Sequence, residues 1–301
     1  MELTWINKLR IAAVATLGIV VIGILAWPLA APADPLQPVR ASGVSVPGTL
    51  LLLVLAFAIG FAGYFIAWPH GREIGILGAP FGLTVWAGRS GPMQTLTQAY
   101  PGTAERIALV HSFLAEPLYW LLIVAAGFAG VLLAQRVRPG AEPPASDNSP
   151  KSRTGENIYV NIYVNSSIAL VVAVLVSLFF LGVFAQNLTM PRNMTAQPAT
   201  GQIIFAAVAA FAVAAFVVKK FLALSYLWPA GASLFVIALA QVVHYRTETI
   251  GRFAETYPAT FFPHSIFAIL PVQLVALGTL GSVIGYWMAV RYDYWRKHET
   301  G

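Results

Sequence analysis

The chain has 301 residues, 58% of them hydrophobic and only 10% charged, with a formal net charge of +6 and no cysteine. Soluble domains carry about 25% charged residues, so too few charges are present to clothe a globule of this size; a lipid environment removes that requirement. The missing cysteines exclude disulfides, thiolate metal sites and cysteine-held iron–sulfur clusters. The basic residues stand singly or in pairs between apolar runs, which excludes the basic stripe of a nucleic-acid-binding surface.

A membrane-spanning helix needs about 20 apolar residues. The first such run is Ile11 to Leu29, preceded by Lys8 and Arg10. Ala31-Pro32-Ala33 has a signal-peptidase look, but the run is long for a signal core and a comparable segment opens the second half, so a retained helix is expected. Pro47 to Trp68 is the second span. Ile74 to Gly88 is short and contains Gly78, Pro80 and Gly82. It is expected to cross as a broken helix, with the freed backbone groups satisfied by neighbouring protein. Ile107 to Leu133 is the fourth span.

Arg138 to about Asn165 is the one long polar stretch, rich in proline and serine, and reads as a flexible linker. It ends in a tandem Ile-Tyr-Val-Asn over 158–165, expected to be an extended or interfacial piece, with Asn165 or Ser166 capping the next helix. Four further spans follow: Ser167 to Ala185, Gln202 to Val218, Phe221 to Val243 and His264 to Val290.

The halves on either side of the linker share markers in the same order. Pro47-Gly48 answers Thr200-Gly201, Pro80-Phe81-Gly82 answers Pro229-Ala230-Gly231, Tyr100-Pro101 answers Tyr257-Pro258, and His111-Ser112 answers His264-Ser265. The expected fold is therefore an all-α integral membrane protein of about eight transmembrane helices. They form two tandem parallel four-helix repeats, 1–137 and 166–301, joined by the cytoplasmic linker 138–165. Four helices per half keep both halves in the same orientation, so a pseudo-twofold axis would run along the membrane normal. With the N-terminus inside, twelve of the eighteen Lys and Arg residues fall on the cytoplasmic side. This bias places both termini in the cytoplasm and the chain in a plasma or inner membrane.

Few residues here carry chemistry. Glu116 is the only acidic residue well inside a predicted span, and intramembrane carboxylates often mark function. Ser112 lies four residues earlier on the same helical face. His111 and His264, the repeat-matched pair, are expected at one height on the outer side, with His244 nearby. Three imidazoles at one level could ligate a metal or haem, although no metal spacing is present and neither cofactor is expected. Gly78, Pro80, Gly82, Pro229 and Gly231 are candidate helix breaks in the third helix of each half. No P-loop, dinucleotide fingerprint, nucleophile elbow or zincin motif occurs, so a non-catalytic role is expected. Two roles fit: a membrane subunit or scaffold with other membrane subunits as partners, or a transporter or channel passing a small or neutral solute between the repeats.

Overall fold

The structure is a computed structural model describing residues 4–30, 44–139, 156–187, 189–190, 194–244, 246–256 and 261–299. Tyr257-Pro258 and most of the expected linker lie outside the described residues. Among these residues, seven helices are long and apolar enough to cross a membrane.

The first is α1 (Trp5–Gly18), capped by the Thr4 hydroxyl, which accepts from the Asn7 N–H at 3.4 Å. It widens into a π-type stretch, Ile19–Leu25, just ahead of Pro28 in the short α2 (Trp27–Ala30). Next is α3 (Val46–Ile66), whose N-cap Ser45 accepts from the Gly48 N–H and whose first turn holds Pro47, where no N–H partner is needed. The chain then turns through α4 (Gly71–Ile74) and a 3₁₀ turn into α5 (Gly78–Arg89).

The Ile74–Gly88 run is not among the seven long helices. It is nonetheless a continuous helical path, about 28 Å long at 1.5 Å per residue from Gly71 to Arg89. Its glycines permit very close packing on α1. A Cβ at Gly18 would run into the Gly78 carbonyl, and one at Gly82 into Ile22, 2.6 Å away. Two of the candidate helix breaks are Pro80 and Pro229. Each is the third residue of its helix, α5 or α11 (Leu227–His244), in the first turn where prolines fit.

Short α6 (Met93–Ala99) leads to α7 (Thr103–Ser112) and then α8 (Glu116–Val137). The expected Ile107–Leu133 helix is therefore interrupted at Phe113–Ala115. Pro117 explains the break, because it cannot donate to the Phe113 carbonyl. Beyond the linker, α9 (Glu156–Phe184) begins eleven residues earlier than the expected Ser167, so the Ile-Tyr-Val-Asn duplication is helical and neither extended nor capping. Then come α10 (Thr200–Leu222), α11, α12 (Thr247–Thr256) and α13 (Pro271–Glu299). A small antiparallel sheet, β1 (Thr189–Met190), β2 (Met194–Ala196) and β3 (Phe261–Phe262), covers one end of the bundle.

The most extensive helix pairs are α10 on α13 and α3 on α8. Small residues make both possible. Gly127 meets Gly60, and a Cβ at Gly130 would strike the Phe57 carbonyl. At a constant displacement of 151 positions along the chain, Gly278 meets Phe211 and Gly281 meets the Val208 carbonyl. α13 is the central helix: 78% of its apolar window is buried, against 22–44% for the other six, and it touches α5, α8, α10 and α11.

The outward faces are apolar. Ile168, Val171, Leu175, Phe179 and Val183 form an exposed stripe along α9, and Leu118 and Leu122 a shorter one on α8. Such stripes belong in lipid, not in water. One end of the bundle is basic: the Arg138 guanidinium sits 4.2 Å over Trp68, and the Lys219 ammonium 5.1 Å over Tyr286. The sheet, His244 and His264 lie at the opposite end.

Candidate functional site: a histidine pocket under the sheet

β3 pairs with β2, and the chain leaving β3 folds back over the end of α9. His264 sits on this return, immediately before a 3₁₀ turn, Ser265–Ala268. Its Nδ1 caps that turn by accepting from the Ile266 N–H at 3.4 Å. Sequence reading expected His264 to begin the last helix; α13 instead starts at Pro271, because Pro271 has no N–H and is best placed where a helix begins.

His264 stacks on His244, the last residue of α11. The ring centroids are 4.5 Å apart and the planes 17° from parallel. The two rings line a cavity of about 320 Å³ with Gly182 of α9, Gln186 just beyond that helix, Thr195 of β2, and Ser265. The Ser265 hydroxyl donates to the Leu181 carbonyl at 3.4 Å, and Thr195 Oγ1 accepts from the Asn187 N–H at 3.2 Å. A Cβ on Gly182 would make ordinary 3.6 Å contact with His264 Cε1 and Nε2, so the Nε2 edge lies over α9.

Burial, and secondarily the neighbouring His244, pushes the His264 imidazole down to about 4. The ring is neutral at physiological pH. With Nδ1 accepting a backbone proton, the tautomer assigned by this hydrogen bond carries its own proton on Nε2. The pocket therefore offers an N–H donor and hydroxyl and amide groups to a small polar ligand or to water. It does not offer converging metal ligands. Stacked, near-parallel rings direct their nitrogen lone pairs side by side, and among the described residues no three His, Cys, Asp or Glu side chains cluster as a metal site.

His264 is thus brought to His244, while His111 stands exposed at the end of α7. Glu116 is buried in the first turn of α8, where a carboxylate suits the positive end of the helix dipole. Its Oε2 accepts from Trp120 Nε1 at 3.3 Å. Ser112 Oγ donates to the Leu109 carbonyl at 2.7 Å. Gly78 and Gly82 serve the α1–α5 contact, whereas Gly231 faces open space.

Sequence reading missed the glutamines that pin this end of the bundle. Gln241 donates to the Val110 carbonyl at 2.7 Å, joining α11 to α7. Gln197 donates to the Ala268 carbonyl at 2.9 Å and accepts from the Gln94 N–H at 3.1 Å. A glutamine inside an apolar run, as in Ala240-Gln241-Val242, is the signal that could have found the first, since such an amide needs a protein partner.

The chain is accordingly nearly all-α, with helices suited to a bilayer and a polar pocket at one end. No known family model, curated protein or solved structure matches it.

Proposed function

We propose that this chain is a non-catalytic membrane subunit that works within a larger assembly, with both termini in the cytoplasm. The observation that carries the reading is the central helix. α13 is enclosed by α5, α8, α10 and α11, and the space where α5 meets α10 and α13 is a cavity of only about 140 Å³, lined mainly by apolar residues such as Val85, Ile203 and Leu277. A transporter or channel with a path between the repeats finds less support, because a solute path needs polar groups or water along it.

The architecture within this reading is two parallel four-helix repeats, with Gly71–Arg89 as the eighth crossing. Its support is the repeated contact pattern. The pairs Gly60–Gly127 and Phe57–Gly130 on one side of the linker correspond, 151 positions on, to Phe211–Gly278 and Val208–Gly281. Pro80 and Pro229 hold the same place in their helices. The basic end, with Arg138 and Lys219, faces the cytoplasm by the positive-inside rule.

Native electrophoresis after mild-detergent extraction from the cell's own membrane tests the function. The chain should migrate in a band containing stoichiometric partners. A monodisperse monomer, combined with solute flux in liposomes that Glu116→Gln abolishes, would overturn the subunit reading in favour of transport.

A further inference from the structure

At the basic end, a crevice of about 220 Å³ opens between α1 and α13. Its walls are mostly hydrocarbon: Ile11 from α1, and Ile284, Met288 and Val290 from α13. Ile284 and Met288 are exposed on the outer face of the bundle, so the crevice opens toward the hydrocarbon of the membrane rather than into the protein. A water-sized group occupies about 30 Å³, so the crevice holds roughly seven groups of that size, about half of an acyl chain.

Two charged residues line the same crevice, Glu73 from α4 and Arg291 from α13, whose guanidinium stacks 4.5 Å over Trp295. Trp287, also on its wall, has its indole N–H buried with no hydrogen-bond partner. An apolar slot with a cation and a carboxylate along it matches an amphiphile that carries a phosphate and an ammonium above a hydrocarbon tail. An anionic lipid would satisfy Arg291 but set its phosphate beside Glu73. A choline headgroup has no N–H to donate to the carboxylate. A primary ammonium does, and a charge-assisted hydrogen bond is among the strong ones.

We propose that the α1–α13 crevice is a binding site for an ethanolamine phospholipid. The phosphate pairs with Arg291, the ammonium with Glu73, and one acyl chain lies along Ile11, Ile284 and Met288. The site stands independently of the subunit reading, since a transporter could carry it equally well.

The test is native mass spectrometry of the delipidated full chain, mixed with phosphatidylethanolamine, phosphatidylcholine or phosphatidylglycerol of identical acyl chains. Ethanolamine lipid should be retained about tenfold better than either, the ratio expected from one charge-assisted hydrogen bond. Glu73→Gln should erase the preference for ethanolamine over choline while leaving general lipid retention. Arg291→Gln should lower retention of all three, and Ile11→Trp, which fills the slot without touching a charge, should do the same. Equal or better retention of phosphatidylglycerol, or an ethanolamine preference that survives Glu73→Gln, overturns the proposal. So does full displacement of the lipid by an equal concentration of soluble glycerophosphoethanolamine, which would show a headgroup site with no acyl slot.

Discussion

The α10–α13 contact depends on glycines that leave no room for a methyl group, and Gly285→Ala is the sharpest way to test it. A Cβ there would fall inside the van der Waals shell of the Ala212 carbonyl oxygen, and the atoms blocking it are backbone, which cannot rotate away. Restoring a carbon–oxygen contact of about 3.3 Å requires the helices to part by about 1.4 Å. Overpacking of this kind costs about 1–3 kcal/mol, and a gap of that size also forfeits about half or more of the dispersion attraction along the seam. Dispersion weighs heavily in lipid, where helices have no hydrophobic drive to associate.

The natural control is a glycine with space around it. Gly201 and Gly231 have nothing within 4 Å of an added Cβ, so alanine there should be neutral or stabilising by about 0.5–1 kcal/mol through backbone entropy. The two classes should differ by about 2–3 kcal/mol. Tryptophan fluorescence during denaturant titration of the detergent-solubilised protein would measure this. Indistinguishable curves for Gly285→Ala and Gly201→Ala would refute the claim that backbone proximity holds these helices together.

Other substitutions address the ends of the bundle. Ala223, the residue ending α10, adopts a left-handed conformation at φ 54°; Ala223→Gly should stabilise by about 1 kcal/mol in the same titration. Gln241→Leu removes the 2.7 Å bond to the Val110 carbonyl, and should cost about 1–2 kcal/mol while raising hydrogen exchange along α7. His264 has its folded-state pKa depressed from 6.5 to about 4, so in that interval the unfolded chain binds the extra proton. Its effect on stability is therefore nil above about pH 6.5, grows unfavourable as pH falls toward 4, and levels off below that. His264→Asn should flatten this part of the stability–pH curve, and an unchanged slope would show that other groups cause it.

The membrane class and most of the helices were legible in the chain because lipid imposes long apolar runs. Boundaries were less so, and the misses have local causes. Pro117 ended α7 before the expected span was complete, and Pro271 delayed the last helix past His264. The Ile-Tyr-Val-Asn repeat alternates like a strand, yet it continues directly into the apolar run of α9, and helix propagation costs less than starting anew. The sheet strands are two or three residues long, too short for a periodic pattern to register. Glu116 was singled out as the acidic residue inside a predicted span, but its indole partner, one turn along, was not foreseen.

The histidine pocket shows why the site was harder to read than the fold. The sequence match that singled out His264 paired it with His111, since each is followed by serine at the beginning of its half's last expected span. On the duplication proposed above, the two positions would be equivalent, yet only one of them meets a second imidazole. His244 ends α11 within reach of His264 because β3 turns the chain back toward α9 and α11. The chain between α5 and α7 instead forms helix α6, and His111 remains exposed on α7. A chemistry confined to one half cannot be inherited from symmetric contacts. It arises where the connecting segments differ, and connections carry the weakest periodic signal in a membrane sequence. The glycine seams should therefore tolerate almost no substitution in either half, whereas replacing His111 should leave the His244–His264 stack and the acid sensitivity of stability intact.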